Sequence, residues 1–279
     1  ERQELDEDYA GRGDDVHRVL ETIHITARDD GASNLIERLT VLIETQMQAD
    51  LEQHEGRVAD VASILKEIGT RRTNKALGRY VGQFRKYLEK GGEGSTPHQF
   101  EVGFGQQRAG ENDDGNSHPH LTLGEGESAL RLQGKIDRID LVAVDGKIQF
   151  RVIDYKTGSN PSTKDVKSGL ASQLPLYAMA VEQLIFPEGT HKLADFGYWS
   201  LRNDGFKLVK LDGDWGDYRT LLMEFVLDLV KELRRGSFPV ESMKKDCRSH
   251  CDYHAACRVG EVRMVGKRWE DRPNLEALE

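Results

Sequence analysis

The stretch from Phe150 to Ala180, FRVIDYKTGSNPSTKDVKSGLASQLPLYAMA, carries an aspartate and a lysine two residues apart, Asp154 and Lys156, at the end of an apolar run. Residues two apart on a strand project to one side, so these two share a face while Ile153 and Tyr155 take the other. Asp137, within GKIDRID, belongs to the preceding strand of a hairpin and comes close enough in a paired sheet to meet Asp154. Two carboxylates and an ammonium at one sheet edge suit a hard divalent cation, Mg²⁺ or Mn²⁺, which prefers oxygen ligands, keeps waters and bridges to phosphate. Such an ion polarises a phosphoryl oxygen and acidifies a bound water, and the lysine positions that water or offsets developing charge. An Asp-x-Lys triplet on its own is more often a surface ion pair beside a turn, so its surroundings have to decide.

Those surroundings divide by period. Residues 14–90 repeat apolar side chains at helical spacing in VHRVLETI, NLIERLTVLIETQM and VADVASILKEI, with breaks expected at Asp30-Gly31, Ser33-Asn34 and Gly69-Thr70. From residue 98 the period becomes two, with Phe100, Val102 and Phe104 on one face and Glu101 on the other, from which it could approach the site. RAGENDDGNSHPH reads as a loop or insertion. LRLQGKIDRIDLVAV and KIQFRVIDYKTG read as two strands joined at Asp145-Gly146. Val166 to Leu184 returns to helical spacing, with Pro175 marking a kink or a late start. DFGYWSLRNDGFKLVKL is a strand pair about Asn203-Asp204-Gly205, and TLLMEFVLDLVKELRRG an amphipathic helix capped by Gly236.

GKIDRID, a hairpin, VIDYKTG and then QLPLYA resemble, in order and spacing, the core motifs of the RecB-like branch of the PD-(D/E)XK nucleases. GRGDDVHRVLE resembles that branch's G-x-x-x-H helix, with Gly13 and His17 in the motif positions. The resemblance runs from about residue 11 to residue 258. It implies an α/β fold with a mixed central sheet flanked by helices. The expected layout is one nuclease domain over 1–279: a helical subregion at 11–96, a nuclease core at 97–236, a cysteine-bearing tail at 237–258 and an extension at 259–279. It also implies that His17, Asp137 and Asp154 are metal ligands, with the Tyr155 carbonyl a further candidate, and that Lys156 is the catalytic lysine. Gln173 and Tyr177 match a Q-x-x-x-Y motif lining the active site near DNA; residues four apart share a helix face, as they also would on an ordinary helix. The implied activity is metal-dependent hydrolysis of DNA phosphodiesters leaving a 5′-phosphate. Within the branch the chain is most similar to the C-terminal nuclease domain of AddB-type helicase–nuclease subunits. These act with an AddA-like helicase on single strands in double-strand break repair and recombination. A free-standing exonuclease and a non-catalytic DNA-binding module are the alternatives, and retention of Asp137, Asp154 and Lys156 favours the enzyme.

Cys247, Cys251 and Cys257 all fall in DCRSHCDYHAACR, a clustering that points to metal ligation rather than to core thiols or a disulfide framework. Soft thiolates suit zinc or an iron–sulfur cluster, either of which wants four ligands. The resemblance implies a [4Fe-4S] cluster held by these three and one cysteine upstream of Glu1. The spacing C-x3-C-x5-C departs from the family's C-x2-C-x5-C at Cys247, and zinc bound with His250 or His254 is the alternative. His24, His54, His118, His120 and His191 have no metal spacing and read as surface or loop residues.

The 279 residues are 37% hydrophobic and carry a net charge of −9, a balance that excludes coating nucleic acid by bulk electrostatics but not a local basic groove. RRTNKALGRYVGQFRKYLEK, residues 71–90, is either that groove or a solvated helix face. No apolar run reaches a membrane span and the acidic start lacks a signal-peptide layout, so a cytoplasmic protein is expected. The first residue is Glu rather than Met, which reads as a domain cut from a longer polypeptide.

Overall fold

The computed structural model describes residues 9–31, 34–52, 61–89, 94–105 and 117–236. The chain forms two compact units, one comprising Glu1–Leu121, Leu132–Ser162 and Gln173–Lys210, the other Thr122–Arg131, Thr163–Ser172 and Leu211–Glu279.

In the first unit three helices, α1 (Tyr9–Asp29), α2 (Leu35–Glu52) and α3 (Val61–Glu89), precede the sheet. Their apolar stripes are the repeats seen in the sequence: Val16, Leu20, Ile23 and Ala27 on α1, Leu39 and Ile43 on α2, Leu77, Tyr80, Phe84 and Tyr87 on α3. Together with Ile153, Tyr155, Trp199 and Leu201 they make one core. Asn34 caps α2, its Oδ1 accepting the Glu37 N–H at 3.3 Å. The break expected at Gly69-Thr70 does not occur, because α3 runs through both residues. A glycine inside a helix costs only about 1 kcal/mol, which burial of an aromatic stripe outweighs.

The sheet has six strands in the order β2-β1-β5-β6-β7-β8. They are β1 (Ser95–Phe104), β2 (Ser117–His118), β5 (Gly134–Val144), β6 (Lys147–Lys156), β7 (Leu193–Ser200) and β8 (Gly205–Leu208). β1–β2 and β6–β7 are parallel and the other pairs antiparallel, so the sheet is mixed as expected. Asp145 and Gly146 both take positive φ, 49° and 73°, as a two-residue hairpin turn between β5 and β6 requires. Ile153, Tyr155 and Trp199 face the helical core, which sends Asp154, Lys156 and Tyr198 to the opposite side, where α5 (Gln173–Ala180) lies.

Three readings of the sequence are corrected here. LRLQGKIDRIDLVAV is not one strand: β4 (Leu130–Leu132) pairs with β3 (Leu121–Leu123) in a separate sheet, and β5 starts at Gly134. Part of the expected loop is strand, since Ser117 and His118 pair with Gly103 and Phe104. The helix foreseen over Val166–Leu184 is broken into α4 (Thr163–Lys167) and α5, which continues as a π turn over Val181–Ile185. Gly169, at φ 75°, ends the first piece. Pro175 is the third residue of α5, where the helix asks for no N–H, and so marks a late start.

In the second unit α6 (Trp215–Arg234) buries Tyr218, Leu222 and Phe225. Asp214 caps it by accepting the Gly216 N–H at 2.7 Å, and Gly236, at φ 73°, closes it by donating to the Leu233 carbonyl at 3.0 Å. The Tyr218 hydroxyl donates to the Val166 carbonyl at 2.7 Å, tying α6 to α4. Among the described residues no helix is long and apolar enough to cross a membrane.

Candidate active site

The β5–β6 hairpin sets the site by register. Its last paired residues are Arg138 and Ile153, which leaves Asp137 and Asp154 facing each other at the open end. There the Tyr155 N–H donates to Asp137 Oδ2 at 2.8 Å and fixes that carboxylate. The flanking pairs Phe100↔Arg138 and Val102↔Ile136 put Glu101 of β1 across from Asp137 on the other side. His17 reaches the same place from α1: its Nδ1 is 3.6 Å from Asp137 Oδ2 and 3.9 Å from Glu101 Oε1.

A polar relay closes the cleft on the α5 side. Lys156 Nζ lies 2.7 Å from Asp154 Oδ2 and donates to Gln173 Oε1 at 3.1 Å; the Gln173 amide donates in turn to the Tyr177 hydroxyl at 3.1 Å. The expected helix face therefore exists, and Gln173 and Tyr177 use it to hold the lysine. Every expected active-site residue, His17, Asp137, Asp154, Tyr155, Lys156, Gln173 and Tyr177, lines one cleft of about 600 Å³ together with Glu101 and Lys135. Tyr155 enters it through its backbone, while its ring packs in the helical core.

Burial, then repulsion from Asp154, holds the Asp137 carboxyl well above its ordinary range; burial also raises Asp154, against the pull of Lys156. Two carboxylates thus face each other in a sheltered cleft, with the Lys156 ammonium against one of them. Glu101 Oε1 and Asp154 Oδ2 are buried without a hydrogen bond, although Lys156 lies near the latter and Lys135 pairs with the other oxygen of Glu101. Ligand atoms of His17, Glu101 and Asp137 lie within 4.8 Å of one another, and one imidazole with oxygen donors fits a divalent cation of the Mg²⁺ or Mn²⁺ kind.

Glu101 is the residue whose importance the sequence understates. It sits in a strand at φ 51°, a region costing about 1–3 kcal/mol for a residue with a Cβ. Its carboxylate lines the cleft beside His17 and Asp137. Gly134 is a second: a Cβ there would lie 2.7 Å from Phe104 Cζ and 3.1 Å from Tyr177 Cε1. Gly134→Val is expected to displace the Phe104 and Tyr177 rings and destabilise the chain by about 1–3 kcal/mol, as thermal unfolding would register.

His24 corrects an expectation. It is not a surface histidine: on the buried stripe of α1, 2% exposed, it shares a 2.6 Å hydrogen bond with the Tyr80 hydroxyl and stacks on Phe100 at 4.9 Å. Its helical spacing from Val16 and Leu20 carried that signal. Burial, reinforced by Arg138, pushes its pKa well down. His118 is half-buried on β2 rather than in a loop. Cys247, Cys251 and Cys257, with the cluster expected on them, and His54 lie outside the described residues.

The sequence model of the PD-(D/E)XK nuclease superfamily matches residues 1–258. Curated relatives are named as the B subunit of an ATP-dependent helicase/deoxyribonuclease. One, from Caldanaerobacter subterraneus subsp. tengcongensis, is 28% identical over 175 residues, 62% of this chain and 14% of the relative. Those from Clostridium acetobutylicum and Moorella thermoacetica are 39% identical over 71 residues and 50% over 63, covering 25% and 22% of this chain. The matched stretches span only 6% and 5% of those two proteins, so the relatives are far longer than the part they share with this chain.

Proposed function

The chain belongs to the PD-(D/E)XK nuclease superfamily, and from that premise we propose that it is a metal-dependent DNA exonuclease domain. It would be the nuclease part of an AddB-like helicase–nuclease that works with a helicase subunit in double-strand break repair and recombination. The observation that carries this reading is the convergence of His17, Glu101 and Asp137 with the Asp154–Lys156–Gln173–Tyr177 relay in a single cleft.

His17, Glu101 and Asp137 would hold the divalent cation, with Asp154 beside them. When bound, the cation supplies Lewis acidity to a phosphoryl oxygen and lowers the pKa of an attacking water. Lys156, held between Asp154 and Gln173, orients that water or offsets the charge that builds on the phosphoryl oxygens. Gln173 and Tyr177 fix the lysine and line the strand's approach. A helicase that delivers single strands would supply most of the affinity, which suits a chain of net charge −9.

Metal binding has its own readout. Because the folded pKa values of Asp137 and Asp154 lie above the 3.8 of a free aspartate, the metal-free folded state binds more protons than the unfolded one in that window. Stability from these groups is full below the unfolded value and is lost as pH rises through the raised folded values. A cation reverses that loss. Mn²⁺ at 100 times its Kd is expected to stabilise the chain by about 2.7 kcal/mol. The shift in Tm should grow with pH, and Asp137→Ala should abolish it. A Tm indifferent to Mn²⁺ at every pH would count against the site.

The function is tested on end-labelled single-stranded DNA. Cleavage in Mg²⁺ or Mn²⁺ that stops in chelator is the expected result, with the label reporting polarity. Binding without cleavage would return the reading to a non-catalytic DNA-binding module.

A further inference from the structure

Behind the catalytic cleft lies a second pocket of similar size, about 630 Å³, and its chemistry is different. Arg72, Lys75 and Arg79 line it from one face of α3, at the three-to-four spacing of a helix whose opposite face carries Leu77, Tyr80 and Phe84. Arg202 and Asn203, in the turn between β7 and β8, form the facing wall, and Thr157 closes one side. No acidic or aromatic side chain is among the lining residues. Lys75, Arg79 and Arg202 are exposed and have no ion-pair partner among the described residues. The other basic residues of the 71–90 stretch are not in this set; Arg71, for example, pairs with Glu67 at 2.6 Å.

The wall is built rather than incidental. Gln83, only 7% exposed, donates through one amide nitrogen to the carbonyls of Ser200 and Asn203, at 3.0 and 2.7 Å, and accepts from Trp199 Nε1 at 2.8 Å. Arg79 donates to the Arg202 carbonyl at 3.1 Å. The Leu201 N–H donates to the carbonyl of Lys156 at 3.0 Å, so the turn bearing Arg202 hangs from the backbone of the lysine in the neighbouring cleft. The two pockets also share two chain segments: Val16 and Thr157 line this one, their neighbours His17 and Lys156 the other.

We infer that this pocket is a backbone clamp for the nucleic-acid strand, holding phosphates next to the one in the cleft without reading sequence. The inference rests on the nuclease reading for its substrate. Its physical content is separate: a cationic concavity on an acidic protein concentrates the local field, and the absence of stacking rings confines recognition to phosphates rather than bases. A strand entering the cleft is carried past Val16 and Thr157 into reach of Lys75, Arg79 and Arg202.

The test is the salt dependence of binding. Anisotropy of a labelled single-stranded oligonucleotide would be measured in chelator with the Asp154→Ala chain, in three forms: otherwise unaltered, with Lys75→Glu and Arg79→Glu, and with Lys147→Glu and Lys192→Glu. The last pair, at the other end of β6, changes net charge equally and serves as control. Each phosphate contact on a single strand contributes about 0.7 to the slope of log K against log salt. The Lys75/Arg79 form is expected to lose about 1.4 of slope and on the order of tenfold or more in affinity. The control should keep the slope of the otherwise unaltered chain. Equal losses in both forms, or none in the Lys75/Arg79 form, would overturn the clamp. Because no cleavage is read, the result bears on the clamp whether or not the parent chain proves to be a nuclease.

Discussion

Asp154→Ala and Lys156→Ala are each expected to lower cleavage of single-stranded DNA by on the order of 10³-fold, for different reasons that separate measurements distinguish. Asp154 faces Asp137 across the open end of the hairpin and is almost fully buried, so its removal takes away the carboxylate that stands beside the His17, Glu101 and Asp137 group. Its loss should weaken the Mn²⁺-induced rise in Tm along with turnover. Lys156 carries no ligand atom in the His17, Glu101 and Asp137 group. Its removal should leave the Mn²⁺ effect in place, or enlarge it as a competing cation disappears, while kcat collapses at unchanged saturation. Cleavage retained within tenfold of the parent by both variants would move the chemistry out of this cleft. Loss of the Mn²⁺ effect in the Lys156 variant would instead make the lysine a structural counter-ion.

How much of this site was legible depended on the distance over which each signal acts. Asp154 and Lys156 were readable from strand alternation, and Gln173 and Tyr177 from helical spacing, because both periods are local. Asp137 followed from the hairpin, whose Asp145-Gly146 turn fixes register within the sequence itself. Glu101 could be placed on a face but not weighed, because its approach to Asp137 and His17 depends on the β1–β5 register and on the place of α1, neither of which is a local signal. For His24 the local signal and the residue type conflict: its position on the α1 stripe points inward, its polarity outward, and the partner that resolves them, Tyr80, lies 56 residues away. The basic stretch was readable as basic; that Arg72, Lys75 and Arg79 of it line a pocket is set by the turn bearing Arg202, more than a hundred residues further on.

The least legible feature is a charged core. GKIDRID alternates its charges, so when Asp137 faces the cleft Arg138 and Asp140 face the helices, where an apolar pair would be expected. Both are fully buried. Arg138 donates to both oxygens of Asp140, at 2.6 and 2.7 Å, and to the hydroxyls of Tyr80 and Tyr155, at 2.8 and 3.1 Å. Asp140 also accepts from Tyr87 and Ser95, at 2.8 and 3.1 Å. The guanidinium carbon lies 5.3–5.8 Å from the ring centres of Phe84, Tyr87, Phe100 and Trp199. The partners come from α3, β1, β6 and β7, and spacing along the chain could not assemble them.

Asp140→Ala is accordingly expected to be the most destabilising single change, because it strands a guanidinium in the core and removes the acceptor that the Tyr87 and Ser95 hydroxyls share. Breaking one side of a buried pair costs about 3–5 kcal/mol, and thermal unfolding should show it as a fall of roughly 6–20 °C. Arg138→Met with Asp140→Leu removes both charges and should recover much of that loss, since a buried pair is seldom more stabilising than apolar side chains of like volume. Activity should not recover with it. Arg138 is adjacent to Asp137, and Tyr155, whose hydroxyl it holds, stands between Asp154 and Lys156, so the network fixes from behind the backbone that aims all three groups into the cleft. The double variant is therefore expected to melt close to the parent yet cleave DNA with a lower kcat and little change in KM. Recovery of both stability and kcat would show that the charged core does nothing for the site. A double variant as unstable as Asp140→Ala alone would mean that the tyrosine hydroxyls, rather than the ion pair, dominate the core.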